Sequence, residues 1–373
     1  MVQQPGVPET SAEKGNGKKI VQGVVSAVLV IAVFAFALPK LADFSDVWQE
    51  ITEMTWIELS TLVFIGLWNL ATYWFVMMAA LPGSNVWQVG KVNLATTAVS
   101  NTLPAGGALG VAATFGMFSS YGFSNSQITG YVVVSGIWNN FVKLGMPVLA
   151  LAFLALQGEA SGGLILAAVV GVGVLLGAIV LFALTLKSDR LARSIGRGVG
   201  RVASGLRKLV RKPPVMGWDN AASRFSRETG QLVRGRWVRL TVASLVSHLS
   251  LYLVLLLALR HVGVSEQQVS AAEVLAAFAF IRLVSALPIT PGGLGVVELG
   301  LSAALVKAGG PEAPVVAAVL VYRAITYVLP IPLGAAAYLK WRRGADARRI
   351  RVEEEKRQAA ARSPDPVAGG PLT

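Results

Sequence analysis

Leu287-Pro-Ile-Thr-Pro-Gly-Gly-Leu-Gly-Val-Val-Glu298 interrupts an otherwise apolar stretch, Ala271–Val306, near its middle. Proline removes a backbone donor and obstructs the preceding turn, so two short helices joined at a break are expected, not one long one. Asn101-Thr-Leu-Pro-Ala-Gly-Gly-Ala-Leu-Gly110 divides a second stretch, Lys91–Ser119, in the same way. Each arm holds about 12–16 residues and reaches roughly 24 Å at most, barely enough to cross a hydrocarbon core. A re-entrant hairpin at each break is the simpler expectation. Pro104, Gly106 and Gly107 would shape the first, near 91–120, and Pro291, Gly292, Gly293 and Gly295 the second, near 271–308.

Six uninterrupted apolar segments surround these breaks: Ile20–Leu38, Ile57–Leu81, Ile128–Leu156, Gly162–Leu186, Val238–Leu259 and Pro314–Leu339. Each is close to the roughly 20 residues that a spanning helix needs. Of 373 residues, 54% are apolar and 14% charged, with mean hydropathy +0.60. Soluble domains carry about a quarter charged residues, so a soluble enzyme is excluded at this level. The expected fold is an all-α polytopic membrane protein with about six full spans and two Pro/Gly-broken re-entrant hairpins. Ala35-Phe-Ala37 mimics a leader cleavage site, but the apolar run before it is long for a leader, and a first spanning helix is the reading adopted.

The net charge of +13 suggests a nucleic-acid binder until the charges are placed. Residues 187–239 hold 14 Lys/Arg against 3 Asp/Glu, the tail from Lys340 holds 9 against 5, and the arm to Lys19 holds 3 against 2. The remainder is slightly acidic, so the excess marks cytoplasmic loops of a membrane protein, and nucleic acid is not an expected partner. The arm with Lys14, Lys18 and Lys19 stays inside, and the loop with Asp43, Asp46, Glu50, Glu53 and Glu58 suits the outside. Only if each broken stretch returns to the side it entered does the 187–239 segment land inside with both termini. The organisation expected is a cytoplasmic arm (1–19), a first membrane half (20–186), a basic cytoplasmic segment (187–237), a second half (238–340) and a disordered cytoplasmic tail (341–373). The membrane is expected to be the plasma membrane.

The halves are weakly alike. A shift of 185 residues lays Val99-Ser100 on Val284-Ser285, and Gly107, Leu109, Gly110 and Val111 on Gly292, Leu294, Gly295 and Val296. The spans flanking each hairpin superpose in order. The first unit would enter from outside and the second from inside, which is the pattern of inverted-repeat transporters, whose substrates bind near the midplane beside broken helices.

Few charges lie inside apolar stretches: Lys143, Arg282, Glu298 and Arg323. A charge in hydrocarbon costs at least about 2.5–3.5 kcal/mol on insertion scales, so it pairs or lines a wet cavity. One reading makes Arg282 and Arg323 a clamp for an anionic head group, balanced by Glu298. The other makes an internal Arg–Glu bridge that fixes the hairpin. In the first half the polar set is Asn101, Asn139, Asn140 and Lys143, with Asn139 and Lys143 on one helix face at i, i+4. His248 reads as a packed core residue, and Gly173-x-x-x-Gly177 as a helix-packing motif of low specificity.

Arg190–Lys212 places Leu191, Ile195, Val199, Val202, Leu206 and Leu209 at helical period among arginines and lysines. That pattern makes a basic amphipathic helix, with anionic lipids of the inner leaflet as its expected partner. The chain has no cysteine and two histidines, His248 and His261, which excludes disulfides, thiol nucleophiles and Cys/His zinc clusters. No P-loop, dinucleotide fingerprint or HExxH occurs, and no cofactor or metal is expected.

Pro291-Gly-Gly-Leu-Gly-Val-Val-Glu298, the Gly-Gly-Pro turn at 309–311 and Tyr322-Arg323 together resemble the transmembrane region of the lysylphosphatidylglycerol synthase, flippase-like family. The resemblance spans about residues 20–340 and marks Pro291, Gly292, Gly293, Gly295, Glu298 and Arg323. The first half departs from the family pattern, with Trp138-Asn139-Asn140 where a glutamate–arginine pair is often found. Full-length synthases append a soluble aminoacyl-transfer domain, whereas this sequence ends in a Pro/Gly/Ala tail. The resemblance therefore implies movement of a lipid with an anionic head group between leaflets, without catalysis. The alternatives are an intramembrane transferase acting on a lipid carrier and a non-catalytic membrane partner of a separate lipid-modifying enzyme.

Overall fold

The computed structural model describes residues 40–344, apart from 41, 104–105, 157–161, 210–217 and 286–289. The expected first span, the N-terminal arm, nearly all of the tail and Pro104 lie outside the described residues. Every regular element among the described residues is helical. Among the described residues, five helices are long and apolar enough to cross a membrane.

After a short amphipathic helix, α1 (Phe44–Glu53), the chain enters α2 (Trp56–Ala80). A capping box starts α2: the Glu58 amide donates to Thr55 Oγ1 at 3.3 Å and the Thr55 amide to Glu58 Oε2 at 2.7 Å. Next come α3 (Val86–Thr102), opened by an equivalent box between Asn85 and Gln88, and α4 (Gly106–Ser119). These two arms pack on each other across the break, so the first interrupted stretch is a helical hairpin. Its arms nearly touch. A Cβ at Gly106 would collide with the Ser100 backbone, and one at Gly110 with the Ser100 hydroxyl.

The long helix α5 (Asn125–Leu156) follows, then α6 (Gly162–Lys187), α7 (Asp189–Leu209) and α8 (Trp218–His261). In its apolar window, Val169–Lys187, α6 has no fully buried residue, and Phe182 packs edge-on against Trp138 and Phe141 of α5. Gly173 and Gly177 face open space, where an added Cβ would meet no atom within 4 Å. Their spacing is therefore no packing motif within this chain; Gly171 makes the close approach, 3.1 Å from Val148 Cγ2 to a built Cβ.

Helix α7 leans on α8 through its small residues Ala192, Gly196 and Gly200, all buried at four-residue spacing. Asp189 secures it, accepting from Ser223 Oγ at 3.0 Å and Arg227 Nη1 at 2.8 Å.

The second half continues with α9 (Ala271–Val284), capped by Ser270 and Glu273, and α10 (Val296–Lys307). Between them lies a single 3-10 turn, Pro291–Gly293, and the arms again pack together. Finally α11 (Glu312–Arg323) passes through a π turn, Ala324–Val328, into a helix that runs to Gly344. Leu329 donates to the Ala324 carbonyl at 2.8 Å, an i→i−5 bond. Pro330, the next residue, explains it. Its ring cannot tolerate the i−4 carbonyl in α-geometry, so the preceding turn widens.

The halves are arranged reciprocally. Helices α2 and α8, equivalent under the 185-residue shift, share the largest interhelical contact. Thr61 bonds to His261 at 3.0 Å, while Asn69 Nδ2 donates to the Ser247 carbonyl and to Ser250 Oγ, both at 2.8 Å. Numbers rise along one helix as they fall along the other, so the equivalent helices run antiparallel. Helix α5 packs against α9, the first arm of the other half's hairpin. Gly334, beyond the π turn, presses equally closely on Leu94 and Ala98 of α3. The apolar core follows the same division. One cluster centres on α8, α9, α10 and α11, the other on α3, α4, the end of α2 and the start of α5.

A cationic cavity and a paired hairpin

The intramembrane charges fall into two groups, one lining a cavity and one ion-paired. The first surrounds a cavity of about 670 Å³ between the first hairpin and helices α2, α5, α8 and α9. Lys143 and Arg282 are its charged lining residues, and no Asp or Glu among the described residues lines it. Asn69, Tyr73, Asn101, Asn139 and His248 supply further polar groups. Asn139 and Lys143 share one face of α5, as their spacing requires, and both reach the cavity. Asn140, on the neighbouring face, is exposed and outside the lining.

Two cavity residues carry unmet polar capacity. Arg282 Nε is buried without a hydrogen-bond partner, and so is His248 Nε2, while His248 Nδ1 is engaged by the Ser244 carbonyl at 2.9 Å. Neither Lys143 nor Arg282 forms an ion pair among the described residues, and the two cations act on each other without a counter-ion between them. A buried donor with no acceptor costs about 1–3 kcal/mol, more when it is charged. Such a lining is poised for an anionic ligand or for water.

The cavity also lies at a defined depth. Asn69, Lys143 and His248 each fall near the middle of the span that carries them, Trp56–Ala80, Asn125–Leu156 and Leu232–His261. A bilayer centred on those spans has the cavity near its midplane.

The second group is paired. Glu298, 1% exposed, accepts from Arg323 Nε through Oε1 and from the Gly295 amide through Oε2, both at 2.7 Å. Arg323 Nη2 donates to the Gly292 carbonyl at 3.1 Å, and its guanidinium lies 4.4 Å from the centre of the Tyr327 ring. Tyr327 ties this group to the first hairpin: its hydroxyl donates to the Asn101 carbonyl, while Asn101 Nδ2 donates to the Tyr327 carbonyl at 3.0 Å. Gly292, Gly293 and Gly295 all have positive φ, at 58°, 70° and 80°. At Gly292 the requirement is double, because a Cβ would also enter the Tyr327 ring.

The structure thus divides residues that the sequence grouped together. Glu298 and Arg323 engage each other and the hairpin backbone. Arg282 lines the cavity with the first-half residues Asn101, Asn139 and Lys143. Gly107 borders the same cavity with open space where a side chain would be. Pro291 opens the turn that Gly292 and Gly293 complete.

Sequence reasoning missed His248 as a cavity residue, together with Asn69 and Tyr73, since each is one polar group in a long apolar run. It also missed Tyr327, although its place four residues after Arg323 puts both on one helix face.

Fold and site together define an all-α, multi-pass membrane protein with a cationic cavity between two antiparallel halves. The chain belongs to the family described as the lysylphosphatidylglycerol synthase TM region, whose sequence profile matches residues 23–334. No curated protein matches it.

Proposed function

We propose that the protein is a lipid translocase of the plasma membrane, both termini cytoplasmic, that carries an anionic phospholipid head group or lipid-linked phosphate between leaflets. The observation that carries this reading is the midplane cavity, with Lys143 and Arg282 unpaired and no carboxylate on its walls. A phosphate between two such cations gains charge-assisted hydrogen bonds and removes the cost of holding them unpaired. The antiparallel pairing of α2 with α8 supports alternating access, in which one half rocks against the other around a fixed site. The hairpins, lying against the cavity from both halves, act as re-entrant gates.

The lining also favours one head group over another. A lysylated phosphatidylglycerol brings two ammonium groups, and no carboxylate lines the cavity to receive them. Phosphatidylglycerol itself brings a single negative charge and fits. Translocation is favoured over an intramembrane transferase because Glu298, the buried carboxylate of the second hairpin, is ion-paired with Arg323 and is not among the residues lining the cavity.

The test is reconstitution into liposomes containing fluorescent lipids, with dithionite reading how much label reaches the inner leaflet. Labelled phosphatidylglycerol is expected to exchange faster than in protein-free vesicles, and the Lys143→Gln/Arg282→Gln variant is expected to abolish the difference. Equal exchange in wild-type and empty vesicles for anionic head groups refutes the proposal.

A further inference from the structure

A second cleft lies on the opposite faces of the same two helices. Cavity residues of α2 and α8 include Asn69, Tyr73, Ser247 and Leu251, whereas Phe75, Met78, Arg236, Arg239, Val242 and Val246 face a separate groove of about 640 Å³. Arg236 and Arg239, one helical turn apart, mark one end of it, next to the turn at Gly83 and Ser84. From there its α8 wall is apolar as far as Val246. Neither arginine forms an ion pair among the described residues, and no Asp or Glu lines the groove.

Depth identifies the occupant. Val246 falls at the centre of the Leu232–His261 span. Arg236 lies ten residues away, about 15 Å along the helix, which is half of a roughly 30 Å hydrocarbon core. The groove therefore runs from head-group level to the midplane, the depth of one leaflet, with cations at the outer end and hydrocarbon below. We propose that it is a binding site for an anionic glycerophospholipid of the leaflet on the basic side, its phosphate between Arg236 and Arg239 and an acyl chain along Phe75, Val242 and Val246. This lipid is not the transported one. It braces the α2–α8 contact from outside, behind the Asn69–Ser247–Ser250 hydrogen bonds, and the proposal stands whether or not the protein moves lipid.

Native mass spectrometry of the full chain released from micelles tests it, with phosphatidylglycerol, phosphatidylcholine or inorganic phosphate added. The Lys143→Gln/Arg282→Gln background removes the cavity's contribution. One phosphatidylglycerol is expected to be retained in preference to phosphatidylcholine. Arg236→Gln/Arg239→Gln should weaken that retention about tenfold or more, the equivalent of about 1.4 kcal/mol. Ala243→Phe, which fills the groove without changing its charge, should weaken it as well. Arg342→Gln/Arg343→Gln, near the end of the last helix, removes the same charge elsewhere and should leave it intact. Equal retention of both lipids, unchanged retention in both groove variants, an equal loss in the Arg342→Gln/Arg343→Gln variant, or full displacement by millimolar inorganic phosphate overturns the proposal.

Discussion

The buried Glu298–Arg323 pair makes a quantitative prediction. Its side chains are 1% and 12% exposed, and Glu298 spends both oxygens on two donors. Replacing Glu298 with Leu leaves a guanidinium buried without its counter-ion and a Gly295 amide without an acceptor. Breaking a buried pair from one side costs about 3–5 kcal/mol. Arg323→Met has a similar cost, because it strands the carboxylate. The double variant removes both desolvation penalties and leaves only the Gly295 amide and the Gly292 carbonyl to be satisfied, at about 1–3 kcal/mol each. It should therefore cost about as much as either single change, which implies a coupling on the order of 3 kcal/mol. The assay is unfolding in mixed micelles of rising SDS fraction, followed by tryptophan fluorescence, on wild type, both single variants and the double. Additive destabilisation, with a coupling below about 1 kcal/mol, refutes the account and means that the pair contributes nothing jointly to the second hairpin.

Further predictions separate the cavity from the scaffold. Lys143→Gln and Arg282→Gln should each lower transport of anionic lipid while leaving thermal stability equal to wild type or higher, since each removes an unpaired buried cation; parallel flux and melting measurements check this. Gly292→Ala should destabilise by at least about 1 kcal/mol, because it combines a left-handed backbone with a clash against Tyr327, whereas Gly107→Ala should melt with wild type. Tyr327→Phe should loosen the first hairpin from the second half by removing the donor to the Asn101 carbonyl, seen as faster amide exchange over residues 97–103.

Much of the architecture was legible because it follows from strong, local chemistry. Proline and paired glycines break helices, so both hairpins could be read from Pro104, Gly106, Pro291 and Gly292. A run of about 20 apolar residues has few alternatives to a span, and five expected spans match helices among the described residues. Partner choice was less legible. Arg282 and Glu298 are 16 residues apart and flank the same break, yet one points into the cavity and the other is sequestered by Gly295 and Arg323. Sequence distance says nothing about which face of a broken helix a side chain takes after the break. Three left-handed glycine positions within four residues, Gly292, Gly293 and Gly295, determine that turn, and their φ values belong to the fold. The π turn was readable in principle from Pro330, but its consequence, the placement of Tyr327 between Arg323 and Asn101, required tertiary contacts.

Under the proposed translocation, the separation of paired from unpaired charge has a mechanical meaning. A site that must release its ligand on both sides of the membrane cannot afford a permanent counter-ion, since a resident carboxylate would compete with every head group. Lys143 and Arg282 are left without one. A hairpin that has to keep its shape while the site empties needs the opposite, and Glu298 and Arg323 are internally satisfied. The groups are joined by hydrogen bonds through Asn101, which lines the cavity and bonds reciprocally with Tyr327 beneath Arg323, and Arg282 also lies within electrostatic reach of Arg323. Any motion of the first hairpin relative to the second half must break that reciprocal pair or carry it along. At a net value of about 0.5–1.5 kcal/mol per hydrogen bond, the two bonds together hold the first hairpin to the second half by about 1–3 kcal/mol.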